Sequence, residues 1–149
     1  MKKSLITMLC GVSVFFAFSQ SGYNPPGNLR QSFQKEYPQS QPTQWSHTKV
    51  GWSVTFEDRD HNNGEVTAHY DHTGRHLDTH VPYDNNDVPA PVMEKVRNKY
   101  PGSDNYAFTR IDRPGENGVY QVHLRHKKRY KTLYVEHNGQ ERDFHDRHY

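Results

Sequence analysis

The sequence predicts an α+β protein of two tandem repeats, each one helix followed by a four-stranded antiparallel sheet. The two sheets are expected to run on as one, with both helices on one face. Three observations carry this. Tyr37-Pro38 returns as Tyr100-Pro101, and the turn His72-Thr73-Gly74 returns as His137-Asn138-Gly139. Between these markers Trp52, Val54 and Phe56 are answered by Tyr120, Val122 and Leu124. A period of about 65 residues is too long for a solenoid unit and reads as two copies of one module.

Residues 1–19 read as a signal peptide: Lys2 and Lys3, an apolar run from Leu5 to Phe18, then small residues at Ala17 and Ser19. Cleavage is expected after Ser19, with Ser21 as the alternative, and leaves no stable membrane anchor. The run is short for a bilayer span, and polar sequence follows at once. The segment 20–28 (QSGYNPPGN) is a linker. Repeat 1 spans 29–81, an inter-repeat linker 82–91, and repeat 2 spans 92–149.

Asn28 is placed to cap a helix whose stripe is Leu29, Phe33 and Tyr37, and Pro38 ends it. The second helix carries Val92, Val96 and Tyr100, with prolines of Val88-Pro89-Ala90-Pro91 in its first turn. Period-two alternation marks strands near 43–48, 51–57, 65–71 and 75–81, then near 105–111, 118–124, 130–136 and 140–145. Alternation puts Trp52, Val54, Phe56, Ala68, Tyr70 and Leu77 under the helix. Ser53, Thr55, Thr67, His69, His76, Asp78 and His80 go to the other face. In repeat 2, Tyr120, Val122, Leu124, Leu133 and Val135 face the helix, while Gln121, His123, Thr132 and Tyr134 look out. The outward face is expected to be polar, His-rich and open to solvent.

These stretches resemble the PepSY-like domains of exported bacterial proteins, whose fold is related to beta-lactamase inhibitor protein. The matching segments are LRQSFQKEYP, GWSVTFE and AHYDHTGRHL, then VMEKVRNKYP, VYQVHL and LYVEHNG. The resemblance implies helices on one face of an antiparallel sheet, and roles in protein binding or peptidase inhibition. Repeat 2 departs from repeat 1 at the hairpin, where Val135-Glu136 replaces Tyr70-Asp71.

Composition limits the chemistry. The chain has 19 Lys+Arg and 17 Asp+Glu; loss of Lys2 and Lys3 leaves 17 of each, which weakens any case for nucleic acid as a partner. Its one Cys is Cys10, within the leader, so the mature domain has neither disulfide nor thiolate. No G-x-S-x-G, H-E-x-x-H or phosphate loop is present, and no enzyme is assigned. Asp58 to Gly64 imitates a calcium loop, but its glycine is one place late and His69 stands where the loop needs Glu.

All 11 histidines lie beyond residue 19. His76 and His80 are expected on one face but ~13 Å apart along a strand, with His69 a cross-strand neighbour of His76 if register allows. With at most two convergent histidines, and Asp78 or His123 as speculative additions, no metal and no cofactor are assigned. The charge of so many imidazoles rises as pH falls through about 6.5. The segment Arg125-His126-Lys127-Lys128-Arg129-Tyr130-Lys131 is a basic hairpin tip, opposite in sign to its counterpart Glu57 to Glu65.

The expected function is an exported, non-enzymatic binding module. As a monomer, periplasmic or secreted, it would present its open sheet face to a protein or peptide partner in the cell envelope, in inhibitor-like fashion. Candidate partner-binding residues are His69, His76, His80, His123, Tyr134, Arg125 and Arg129. The alternative is a metal- or pH-responsive envelope protein using the His-rich face.

Overall fold

The computed structural model describes residues 23–58 and 64–144. The expected signal peptide and the tip of the calcium-loop imitation (59–63) lie outside the described residues. The elements, in order, are α1 (Gly27–Glu36), β1 (Pro42–His47), β2 (Gly51–Asp58), β3 (Gly64–Asp71), β4 (His76–Tyr83), α2 (Ala90–Lys99), β5 (Asp104–Asp112), β6 (Val119–His126) and β7 (Arg129–Glu136). All seven strands form one antiparallel sheet in sequence order, β1 through β7.

Both helices pack on the same face. Leu29 and Phe33, four apart on α1, are buried on Trp45, Val54, Phe56, Val66, Ala68, Tyr70 and Val81. Val92 and Val96 of α2 do the same on Phe108, Tyr120, Val122, Leu124, Leu133 and Val135. Tyr83 touches both cores and joins them. No helix among the described residues is long and apolar enough to cross a membrane.

Four expectations need correction. Asn28 is not the cap of α1. Pro26 holds that position, its carbonyl accepting from Leu29 and Arg30, and Asn28 lies within the helix. Its Nδ2 instead donates to the Thr73 carbonyl at 2.9 Å and ties α1 to the β3–β4 turn.

His76 and Leu77 exchange faces. His69 pairs with Asp78 but Tyr70 pairs with His76, so Leu77 is the extra residue of a β-bulge. A bulge inverts the alternation of everything before it. His76 therefore joins the helix-covered face, where its Nε2 lies 2.9 Å from Thr79 Oγ1 and its Nδ1 lies 3.4 Å from Glu36 Oε2. Tyr70, wholly buried, donates its hydroxyl to the same Glu36 oxygen. Burial and that carboxylate both push the Tyr70 hydroxyl pKa up.

Of the strand expected near 140–145, the described residues 140–144 do not form an eighth strand. Glu141 makes a single bridge to Val135, and the Arg142 amide donates to the Tyr134 carbonyl at 3.0 Å. The chain then crosses the face opposite the helices, where Phe144 is buried with Ile111 and Val119. Among the described residues, the second half of the sheet thus has three strands to the first half's four.

The outward face is, for the same reason, only partly open. Ile111 and Val119 put apolar surface there. Phe144 covers them, and burying these three apolar side chains together favours this path of the chain.

The β3–β4 turn is held by one carboxylate. Asp71 Oδ1 accepts from the Thr73 amide, the Thr73 hydroxyl and the Arg75 amide, and Oδ2 from Arg75 Nε. The Thr73 hydroxyl leads in lowering the Asp71 pKa from 3.8 to about 2. A depressed carboxylate stabilises above its ordinary pKa and loses that contribution as pH falls through its folded value. Asp71→Asn is therefore expected to cost about 1–2 kcal/mol at neutral pH, solvent screening included, in thermal unfolding. The gap should narrow as pH falls toward 2. A gap constant over that range would show that the carboxylate charge contributes nothing.

Candidate functional site

On the face away from the helices, register sorts the polar side chains into two groups. The first is at the distal end of β6 and β7. There Arg125 pairs with Tyr130 and His123 with Thr132. His123, Tyr130 and Thr132 are exposed, Tyr130 at 81% of its full area. Arg125 Nε and Nη2 donate to Asp104 Oδ1 and Oδ2 at 3.0 and 2.8 Å, a two-pronged contact that fixes the guanidinium beside Tyr130. This contact lowers the Asp104 pKa and raises that of Arg125. Thr132 Oγ1 and His123 Nδ1 share a hydrogen bond of 3.0 Å.

Lys127 and Lys128 turn the hairpin with φ of 49° and 65°. Two consecutive left-handed residues suit a two-residue turn that matches strand twist, a position where Asn-Gly is usual. Two lysines there cost conformational energy and keep both ammonium groups at the tip. Arg129 pairs with His126, one step out of phase with Tyr130, so it belongs to the helix-side face and not with Arg125.

The second group lies mid-sheet. His69 and Asp78 face each other across β3 and β4, and His80 follows Asp78 by two positions. His69 Nδ1 lies 2.9 Å and His80 Nε2 3.3 Å from the same oxygen, Asp78 Oδ1. The two imidazole rings meet edge-on with centroids 4.7 Å apart. Asp78 is 1% exposed and His69 9%. Arg113 Nε approaches the other carboxylate oxygen at 3.7 Å, and its guanidinium lies 4.0 Å over the Phe144 ring. A cleft of about 530 Å³ reaches Asp78 between Leu77, Arg75, Arg113 and Glu116.

The seven candidate residues therefore divide. His123 and Arg125 share the distal patch. His69 and His80 converge, but around Asp78 and not with His76, which is on the far side of the sheet. Tyr134 is half-buried under Phe144, ring centroids 5.0 Å apart, and Gln121 Nε2 donates to its hydroxyl. Tyr130 was missed, although the alternation that selected Thr132 and Tyr134 also selects it.

No protein-family model matches the chain, and no curated protein matches its sequence. Solved structures do. A DUF2874 family protein from Bacteroides uniformis superposes with a TM-score of 0.72 at 16% identity, over 79% of this chain and 86% of that one. A BLIP-like protein from Bacteroides fragilis does so with a TM-score of 0.70 at 17% identity, over 85% and 94%. The fold is BLIP-like. A protein of proposed periplasmic location from Bacteroides eggerthii shares it too, at a TM-score of 0.71 and 13% identity, over 80% and 86%. Identities this low carry the BLIP-like architecture and not the ligands of its surfaces, which rest on this chain's own side chains.

Proposed function

We propose that this is an exported, non-enzymatic binding module of two PepSY-like repeats that grips a protein or peptide partner in the cell envelope. One observation carries the reading: Tyr130, 81% exposed, stands beside a fixed Arg125 on a sheet face that no helix among the described residues covers. Tyr and Arg are among the residue types enriched where binding energy concentrates at protein interfaces. His123 and Thr132 extend the patch, and the lysines of the tip steer acidic partners toward it. The signal-peptide reading of residues 1–19 supports export, as does the periplasmic description of one structural neighbour. The module acts as a monomer, in the periplasm or outside the cell.

The test is capture from envelope and culture-medium extracts on the immobilised mature chain. Tyr130→Ala is expected to weaken retention of a genuine partner by about 2 kcal/mol, roughly 30-fold. Its effect on unfolding should stay within about 0.5 kcal/mol, since the ring touches little of the fold. A partner held equally by wild type and by a Tyr130→Ala/His123→Ala double variant would remove the patch from the reading.

A further inference from the structure

We propose that His69, Asp78 and His80 form a binding site for a divalent transition-metal ion of the zinc class. Each of the three offers one ligand atom, and all three atoms lie within 4.8 Å of one another. Around a tetrahedral zinc with bonds of about 2.0–2.1 Å, ligand atoms stand roughly 3.3 Å apart. Two of the three edges are already close to that length, 2.9 Å from Asp78 Oδ1 to His69 and 3.3 Å to His80. Only the His69–His80 edge, no longer than 4.8 Å, has to close.

The donor set selects the metal. Two imidazole nitrogens and one carboxylate oxygen suit zinc and its neighbours in the first transition row; calcium and magnesium take oxygen shells. Burial favours the same conclusion. Asp78 is 1% exposed, and a carboxylate so deep needs positive charge or donated hydrogens around it. Arg113 occupies the side of Oδ2, which leaves Oδ1 directed at the two imidazoles. A ligating carboxylate held from behind in this way is the usual outer-shell arrangement of metal centres. A solvent-open cleft lined by Asp78 and Arg113 lies beside the cluster. The geometry exists because of the bulge at Leu77. Without it, Asp78 and His80 could not stay in phase with His69 while His76 joins Tyr70 under the helix.

The mature protein, stripped with chelator, is titrated with zinc by calorimetry and then with cobalt by absorption. One zinc per chain is expected, with intense visible cobalt bands of a tetrahedral site. His69→Gln and His80→Gln should each weaken zinc by more than about 100-fold, and His123→Gln should change nothing. Should the buried variants fail to fold, imidazole nitrogen resonances of the wild type decide the location. Zinc must shift those of His69 and His80 and leave His123 unmoved. Absence of saturable zinc binding would overturn the proposal, leaving a hydrogen-bonded polar cluster. So would zinc held on the exposed histidines alone. The Tyr130 patch is separate, so loss of either reading leaves the other standing.

Discussion

Phe56→Ala is expected to lower the unfolding free energy by about 3–5 kcal/mol, the range for deleting a fully buried ring. Phe56 is wholly buried on β2 beneath α1. Its ring meets Phe33 edge-on at 5.0 Å and Tyr37 at 4.5 Å, and Phe33 in turn meets Trp45 at 5.8 Å. Truncation removes two of the ring pairs of this aromatic group, those with Phe33 and Tyr37. It loses the transfer energy of the ring, leaves a void, and forfeits ring-pair geometry worth roughly 0.5–1.5 kcal/mol per pair. A small domain is stable by only about 5–15 kcal/mol, so the variant should sit close to its folding threshold. In urea the midpoint should fall with the slope unchanged. A loss under about 1 kcal/mol would mean that the ten-residue helix α1 can settle onto the sheet and refill the space.

Gly51→Ala is expected to cost about 2–4 kcal/mol by a different route. Gly51 opens β2 opposite Asp71, with φ at 155°. A methyl group there would stand 2.0 Å from the Tyr70 carbonyl oxygen and 2.7 Å from two Asp71 backbone atoms. Backbone cannot rotate aside as a side chain can, so the ends of β2 and β3 must part. The damage would reach the turn that Asp71 organises. Hydrogen exchange should accelerate at the Trp52 and Asp71 amides, beyond what the global loss explains. Stability within about 0.5 kcal/mol of wild type would show that this strand end yields freely.

Much of the architecture was legible because its signals are local. Leu29 and Phe33, or Val92 and Val96, announce a helix face within one turn. Trp52, Val54 and Phe56 announce a strand without knowledge of its neighbours. What escaped depends on partners distant in sequence. The bulge at Leu77 exists only relative to Tyr70, so alternation along β4 alone put His76 on the wrong face. The meeting of His69 with Asp78 and His80 follows from that same register. The segment 140–145 alternates like a strand, yet Ile111 and Val119, from β5 and β6, draw Phe144 across the sheet. Asn28 reads as a helix cap, but the two prolines before it already set the backbone, and its amide serves the Thr73 carbonyl instead.

The order of the sheet, β1 through β7 without exchange, also bears on how the chain matures. Every strand finds its partner in the strand made just before it. The widest gap, between β4 and β5, is filled by α2, which packs on the strands that follow it. Loop closure is paid in small steps, and no early strand waits with an open edge for a late one. A chain emerging N-terminus first from a narrow pore can therefore lay down structure as fast as it arrives, each new hairpin docking on a finished edge. A sheet that needed its last strand in the middle would have to hold its halves apart until the final residue came through. The meander is compatible with the export proposed above.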